Sequence, residues 1–221
     1  MDFLALYVTL KLAAASTAIL LIIAAPMAYV LAYLRFPGKS LFEALIYLPM
    51  ALPPTVMGFY LVLVMGPKGF AGRLWSLLAG DSLLFTFGGI TVAAVVYSMP
   101  FAVQPMKAAF RKIDPRLLES ASVLGLSRPA AFIRVVLPNS VNGIAAAAIL
   151  VFLHCIGAFG VLLMVGGSVP GVTKVASIAV YEAVEAMDYR AAGLMSLCFI
   201  PISYAFLLVV NKLEGGAKHD A

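Results

Sequence analysis

The sequence predicts an all-α membrane protein with about five transmembrane helices. Of its 221 residues, 63% are hydrophobic and only 11% are charged, which is about half the charged fraction of an ordinary soluble domain. Apolar surface on this scale has to face lipid. Five long runs contain no Asp, Glu, Lys or Arg: 12–34, 44–67, 82–106, 135–173 and 191–211. Each run reaches the roughly 20 residues that a helix needs to cross the hydrocarbon core.

The runs are interpreted as helices because their apolar residues are continuous. Membrane β-strands would alternate apolar and polar positions in segments of about ten residues. The first run, 12–34, is too long for the apolar region of a cleaved signal peptide, so we expect a span there. The 135–173 run is longer than one span needs. Because Gly166-Gly167 interrupts it, we expect its helix to end near Val165.

Three segments depart from simple spans. Pro53-Pro54 removes two backbone donors from the second run and predicts a kinked or unwound helix. That kink either lines a pathway, as unwound backbone at this depth does, or serves packing alone. Residues 66–81 predict an outer loop with a short interfacial helix anchored by Trp75, and residues 174–187 predict a non-spanning helix at the outer face. Three acidic residues are expected at the outer rim: Glu182, Glu185 and Asp188.

The distribution of basic residues predicts the orientation. Of 15 Lys and Arg residues, ten lie in the first and third connections or after the last helix: Arg35, Lys39, Lys107, Arg111, Lys112, Arg116, Arg128, Arg134, Lys212 and Lys218. The other five are Lys11, Lys68, Arg73, Lys174 and Arg190. Because basic residues concentrate in cytoplasmic loops, we expect a multi-pass inner-membrane protein with its N-terminus outside and its C-terminus in the cytoplasm. This asymmetry accounts for the net charge of +5, which does not indicate nucleic-acid binding.

The third connection, residues 107–134, has helix signals of its own. Asp114 is a good N-cap residue, Pro115 follows at the first helical position, and Gly125 fits a left-handed residue after the last turn. Ser127 can cap a second helix that runs into the fourth span. The first short helix carries an apolar stripe: Leu117, Leu118, Ala121 and Leu124. Spacing alone leaves two interpretations open, since the stripe either packs on the chain's own bundle or binds a partner.

The same connection contains a pattern at fixed spacing: Glu119, Ser120, Ala121, Gly125, Val135, Leu137 and Pro138. It resembles the EAA loop of ABC importer permeases, which reads Glu-Ala-Ala, three residues, Gly, nine residues, Ile, one residue and Leu-Pro. This chain has Ser120 for the first Ala and Val135 for Ile. The resemblance implies a type I ABC importer permease fold with a cytoplasmic coupling helix. The implied ATPase-coupling residues are Leu117, Leu118, Glu119, Ala121, Gly125, Leu137 and Pro138.

Shorter motifs are similar to those of molybdate permeases, with parts shared by sulfate and tungstate permeases: Phe36-Pro37-Gly38-Lys39, Leu48-Pro49, Leu52-Pro53-Pro54-Thr55-Val56, Gly58, Gly157-x-Phe159-Gly160 and Pro170-Gly171-x-Thr173. The implied function is translocation of molybdate, with sulfate or tungstate as the alternative. The residues expected at a pathway or gate are Pro53, Pro54, Thr55, His154, Gly157, Phe159 and Gly160.

Two positions depart together from the pattern of the molybdate family. Where that family has an Arg and a Glu four residues apart in the fourth span, this chain has His154 and Ala158. The family's two charges would share a helical face and pair, so replacing both avoids an unpaired charge in the membrane. His154 is then either a buried neutral side chain hydrogen-bonded to a neighbour or a group near the anion path, where a protonated imidazole attracts an oxyanion.

The resemblance also implies the partners. No G-x-x-x-x-G-K-[ST] motif and no cluster of metal-ligand type occurs, so we expect no cofactor on this chain, with ATP and Mg bound by a partner ATPase. Expected partners are a dimer of ABC ATPase subunits, a second copy of this chain, an extracytoplasmic oxyanion-binding protein and membrane lipid. We expect one permease domain, residues 1–221, that is not an enzyme. Two alternatives are an intramembrane enzyme that uses His154 with a serine and a non-transporting scaffold.

Overall fold

The computed structural model describes residues 2–216, with side chains through residue 209, and every regular element in that range is helical. The first six helices are α1 Phe3–Tyr33, α2 Lys39–Ala51, α3 Pro54–Met65, α4 Phe70–Ala79, α5 Phe87–Arg111 and α6 Pro115–Val123. After α7, Arg128–Ala131, a π-helical turn covers Phe132–Val136. The remaining helices are α8 Leu137–Asn139, α9 Val141–Gly157, α10 Gly160–Gly166, α11 Ala176–Glu185 and α12 Tyr189–Gly216. The basic residue Lys218 lies outside the described residues.

Three helices are long and apolar enough to cross a membrane by themselves: α1, α5 and the part Tyr189–Val209 of α12. Two further spans are possible only as bent pairs. Helices α2 and α3 meet at 116°, and the helical stretch Arg128–Asn139 meets α9 at 78°. Counting each bent pair as one span gives up to five, so the predicted all-α membrane architecture is confirmed.

The second span breaks at the proline pair. Helix α2 ends at Ala51, Leu52 is extended with ψ 144°, and α3 begins at Pro54. A residue that precedes proline is pushed out of the helical region, and Pro53 accordingly has ψ 138°. The kink predicted from Pro53-Pro54 is therefore confirmed as a full break between two helices.

The expected end of the fourth span is wrong. Helix α9 stops at Gly157 instead of continuing to Val165. Ala158 and Phe159 are non-helical before α10 begins. A tertiary contact stabilises this break, because the Ser177 hydroxyl donates a hydrogen bond to the Ala158 carbonyl over 2.7 Å. Gly157 and Gly160 flank the break, but the hydrogen bond from Ser177 comes from a segment outside the span.

Helices α1, α5 and α9 pack together at the centre of the bundle. Helix α1 contributes a row of fully enclosed residues: Leu12, Ala13, Leu20, Ala24, Ala28 and Leu31. Small residues matter here because apolar groups gain little by leaving lipid for protein, so association depends on close packing. At Gly143 of α9, a Cβ would lie 2.2 Å from the Cβ of Ala109 on α5.

Helix α11 is tied to the start of α1. The Ala176 N–H donates to Thr9 Oγ1 over 2.8 Å, and Lys174 pairs with Glu182 at 2.6 Å and with Asp2 at 3.5 Å. The hydrogen bond to Glu182 raises the pKa of Lys174, and the same bond lowers the pKa of the Glu182 carboxyl. Both groups therefore stay charged around neutral pH, and the pair persists there.

The two predicted non-spanning helices are present as α4 and α11. On α4, Trp75 Nε1 donates to Asp81 over 2.9 Å. At the end of α11, the Tyr181 hydroxyl donates to Glu185 over 2.5 Å. Asp188 accepts a backbone N–H at the start of α12. The three acidic residues expected at a rim thus all make contacts within the chain.

A cluster of contacts fixes the end of α5 that leads into the third connection. Lys107 forms an ion pair with Glu43 of α2, and its Nζ lies 5.9 Å from the ring centroid of Tyr47. The Tyr33 hydroxyl donates to the Phe110 carbonyl. These contacts hold α1 and α2 against α5 immediately before α6.

We predict that Gly143→Ala destabilises the bundle. The added methyl group would overlap Ala109, and overpacking of a well-packed core costs about 1–3 kcal/mol. Thermal unfolding of the purified protein in detergent should show a lower midpoint. The matched control is Gly193→Ala on α12, where a Cβ meets no atom within 4 Å. Equal stability of both variants would contradict the close packing of α5 against α9.

Candidate functional site

Helix α6 begins and ends where the sequence predicts. The Asp114 carboxylate accepts a first-turn N–H over 2.9 Å. At the other end, Gly125 has φ +77°, and the Leu126 N–H donates to the Ala121 carbonyl over 3.0 Å, the Schellman arrangement that ends many helices. Ser127 immediately precedes α7, as expected, but makes no side-chain capping bond.

The apolar stripe of α6 is divided between the bundle and the surface. Ala121 is 4% exposed, and Leu118 packs against the bundle core. Leu117 and Leu124 remain 45% and 78% exposed, and Glu119 is exposed on another face of the helix. Packing on the chain's own bundle therefore accounts for Leu118 and Ala121, and binding of a partner by Leu117 and Leu124 stays a prediction.

Pro138 explains the π-helical turn before α9. Proline has no N–H to donate to the carbonyl four residues earlier, so the regular α-helical hydrogen bonding is interrupted at Pro138. The Leu137 N–H donates to the carbonyl of Phe132, five residues earlier, which is the π-helical pattern. The Asn139 side chain donates to the Val135 carbonyl over 2.7 Å, which satisfies another freed acceptor. Leu137 and Pro138 lie in α8, immediately before the 78° bend at Ser140 through which the connection enters α9.

A cavity of about 420 Å³ lies beside the break between α9 and α10. Six of the seven residues predicted for a pathway or gate line it: Pro54, Thr55, His154, Gly157, Phe159 and Gly160. The seventh, Pro53, is the N-cap residue of α3 and is not part of the lining. Sequence reasoning missed three lining residues: Tyr97, Leu153 and Ala158. Only Tyr97 offered a signal, as a hydroxyl inside an uncharged run.

The two helix breaks meet at this cavity. A Cβ on Gly160, the first residue of α10, would lie 3.3 Å from Pro54 Cβ and 3.4 Å from Thr55 Cγ2. A Cβ on Gly58 of α3 would lie 2.8 Å from the Cβ of Met164 on α10. Glycine at both positions therefore allows α3 and α10 to pack directly against each other.

His154 projects between aromatic rings on α5. Its ring centroid lies 4.0 Å from that of Phe101, in a stacked arrangement, and 4.7 Å from that of Tyr97. Its Nε2 is buried and has no hydrogen-bond partner among the described residues. Hydrogen bonding of Nε2 to a protein neighbour, one of the two expectations for this side chain, is therefore not observed in this part of the chain.

The lining favours neither hydrolysis nor metal binding. No serine lines the cavity, and the neighbouring Cys155 contacts Ser98 at 3.4 Å. Within residues 2–209, no group of three or more His, Cys, Asp or Glu side chains could hold a metal. The lining residues also include no Asp or Glu, so no fixed negative charge repels an anion there.

Comparisons with known proteins agree with this architecture. Residues 12–216 match the family described as "Binding-protein-dependent transport system inner membrane component". The chain is 42% identical over 209 residues to the molybdenum transport system permease protein ModB of Azotobacter vinelandii, covering 95% of this chain and 92% of that protein. It is 32% identical over 188 residues to the sulfate transport system permease protein CysT of Escherichia coli (strain K12), covering 85% of this chain and 68% of that protein.

A solved bacterial ABC transporter involved in alginate import has the same fold, with a TM-score of 0.72 at 19% identity over 99% of this chain and 79% of that chain. A second solved structure is a bacterial alginate ABC transporter in complex with an alginate pentasaccharide-bound periplasmic protein. Its TM-score is also 0.72 at 19% identity, and the match covers 96% of this chain and 76% of that chain. The predicted resemblance to importer permeases is thereby confirmed. The chain belongs to the family of binding-protein-dependent transport system inner membrane components and is a multi-pass, non-catalytic permease subunit of an ABC importer.

Proposed function

We propose that this permease translocates molybdate, with sulfate or tungstate as the alternative substrates. The observation that carries the proposal is the 42% identity to a molybdenum permease over 95% of the chain. The 32% identity to a sulfate permease keeps sulfate as the second candidate. A cavity without acidic lining residues supports passage of an anion in either case.

The proposed transporter contains two copies of this chain and two ATPase subunits, and a soluble binding protein delivers the anion from outside. ATP binding closes the ATPase pair and turns the pathway outward, and hydrolysis returns it to the inward state. ATP and Mg remain on the ATPase subunits, so this chain needs no cofactor of its own. The pathway residues proposed for this cycle are the seven around the two helix breaks.

Helix α6 is the proposed contact with the ATPase. Leu118 and Ala121 fix the helix to the bundle, so a displacement of α6 is passed on to the spans. Leu117 and Leu124 remain exposed, and Val123, the last residue of α6, is 88% exposed. Exposed apolar side chains on a short helix are the kind of surface that a protein groove covers. Glu119, Gly125, Leu137 and Pro138 complete the proposed coupling segment.

The proposed orientation places α6 in the cytoplasm. It rests on the distribution of Lys and Arg. Ten of these residues lie in the first and third connections and in the C-terminal segment, and five lie elsewhere. With an odd number of spans, the N-terminus is then outside, together with α4 and α11. This arrangement puts the coupling surface on the side where ATP is available.

We predict that proteoliposomes containing this permease, its ATPase and its binding protein accumulate molybdate in an ATP-dependent manner. Sulfate offered at the same concentration should enter more slowly. Uptake of labelled molybdate, with sulfate and tungstate as competitors, measures both. Faster uptake of sulfate would keep the permease assignment and overturn the substrate, whereas uptake of none of the three anions would contradict the proposed function.

We predict that Leu124→Glu weakens binding of the ATPase by about tenfold or more, the effect typical of losing an important apolar contact at an interface. Affinity of the ATPase for the permease in lipid nanodiscs measures this directly. Because Leu124 is 78% exposed, the fold of the permease should be unaffected, and its thermal unfolding should not change.

The matched control is Leu77→Glu on α4. Leu77 is 83% exposed and also lies on a short helix, but in the proposed topology it faces the outside. The Leu77→Glu variant should bind the ATPase with the same affinity as the unaltered permease. Equal loss of ATPase affinity in both variants, or no loss in either, would contradict the proposed coupling surface and orientation.

A further inference from the structure

The strongest unassigned feature of the molecule is one face of α4. Four of its side chains are large, apolar and at least half exposed: Phe70, Leu74, Leu77 and Leu78. Lys68 lies in the turn before α4, and Arg73 lies in its first half. We infer that α4 lies on the membrane surface and binds anionic phospholipid, with its apolar side chains among the acyl chains and the two cations on the phosphate headgroups. The inference goes beyond the proposed function, because it concerns lipid and not the transported anion.

The first observation is the direction of the apolar face. With 3.6 residues per turn, its four side chains fall within one arc of about 100°. Gly72 lies on the opposite side of the helix, where an added Cβ would overlap the carbonyl oxygen of Gly66, just beyond the end of α3. Helix α4 therefore packs on the end of α3 through its glycine side. The apolar side chains consequently point away from the protein, where lipid can cover them.

The second observation is charge. Lys68 and Arg73 form no ion pair with any residue in the described part of the chain, whereas Lys174, another basic residue expected outside, pairs with two carboxylates. Arg73 falls at the border of the apolar arc, where a long basic side chain reaches a headgroup while its stem stays in the apolar layer. The acidic residue of this loop, Asp81, already accepts the Trp75 N–H. The free positive charge beside the apolar face thus complements anionic lipid.

The third observation is the position of α4 along the chain. Only residues 66–69 separate it from α3, the second half of a bent pair that is long and apolar enough to span. Helix α4 therefore starts at the boundary of the bilayer, within reach of the headgroups. Trp75, the anchor expected from the sequence, is 38% exposed, and its indole N–H already bonds Asp81. Most of the apolar contact with lipid therefore comes from the four side chains of the exposed face.

The direct test uses Trp75, which is the single tryptophan of the chain and lies on α4. Full-length permease is reconstituted into phosphatidylcholine vesicles that contain a varied fraction of brominated phosphatidylglycerol or of brominated phosphatidylcholine. Bromine quenches tryptophan fluorescence only at close approach, so quenching reports which lipid occupies the surface of α4. The apparent affinity for phosphatidylglycerol should exceed that for phosphatidylcholine by about fivefold for each basic residue involved. This preference should fall at high salt, because salt screens exposed charges.

Variants separate the contributions of charge and apolar contact. Lys68→Gln combined with Arg73→Gln should remove the preference for phosphatidylglycerol and leave quenching by phosphatidylcholine unchanged. Leu77→Glu places a charge in the apolar face and should weaken quenching by both lipids. The matched control is Arg190→Gln, because Arg190 is another exposed basic residue expected outside but lies on α12. The Arg190→Gln variant should keep the full preference for phosphatidylglycerol.

Three outcomes would overturn the inference. The first is equal quenching of the unaltered permease by the two brominated lipids, and the second is an equal loss of preference in Arg190→Gln and in the double variant. The third is absence of quenching by either lipid, because α4 would then lie in water or be covered by protein, such as a second copy of this chain. Uptake of molybdate is measured separately, so the proposed function and this inference can fail independently.

Discussion

The structure depends on one constraint, which is that backbone hydrogen-bonding groups inside a bilayer must be satisfied by the protein. Helices α1 and α5 satisfy it by continuing across the membrane. Two of the interruptions in the helices, at Leu52-Pro53 and at Ala158-Phe159, are adjacent in space. Non-helical backbone at membrane depth is tolerated where it is covered by protein or lines a cavity, and Ala158 and Phe159 line the cavity. The cavity lies where the two breaks approach each other.

The sequence predicted the parts of this arrangement that depend on local chemistry. The uncharged runs predict the spans, Asp114 and Gly125 delimit α6, and Pro53 marks the break in the second span. Each of these signals acts within a few residues, through a missing N–H, a capping carboxylate or a left-handed backbone conformation. Such effects are visible without knowing which helices pack together.

Contacts between distant segments decide the remainder. At the break after α9, the Ser177 hydroxyl donates to the Ala158 carbonyl from outside the span. Tyr97 belongs to the cavity only because α5 packs against α9. The division of the α6 stripe, with Leu118 packed on the core and Leu124 exposed, follows from how that helix sits on the bundle. Periodicity shows that such residues share a face but not what covers the face.

The central claim is that an oxyanion passes through the cavity where the two broken helices meet. Anomalous scattering from molybdenum or tungsten, measured on crystals of the complete transporter soaked with the oxyanion, locates the anion directly. We expect a peak inside this cavity, close to Thr55 at the start of α3. A peak elsewhere in the membrane region, with this cavity free of anion, would contradict it.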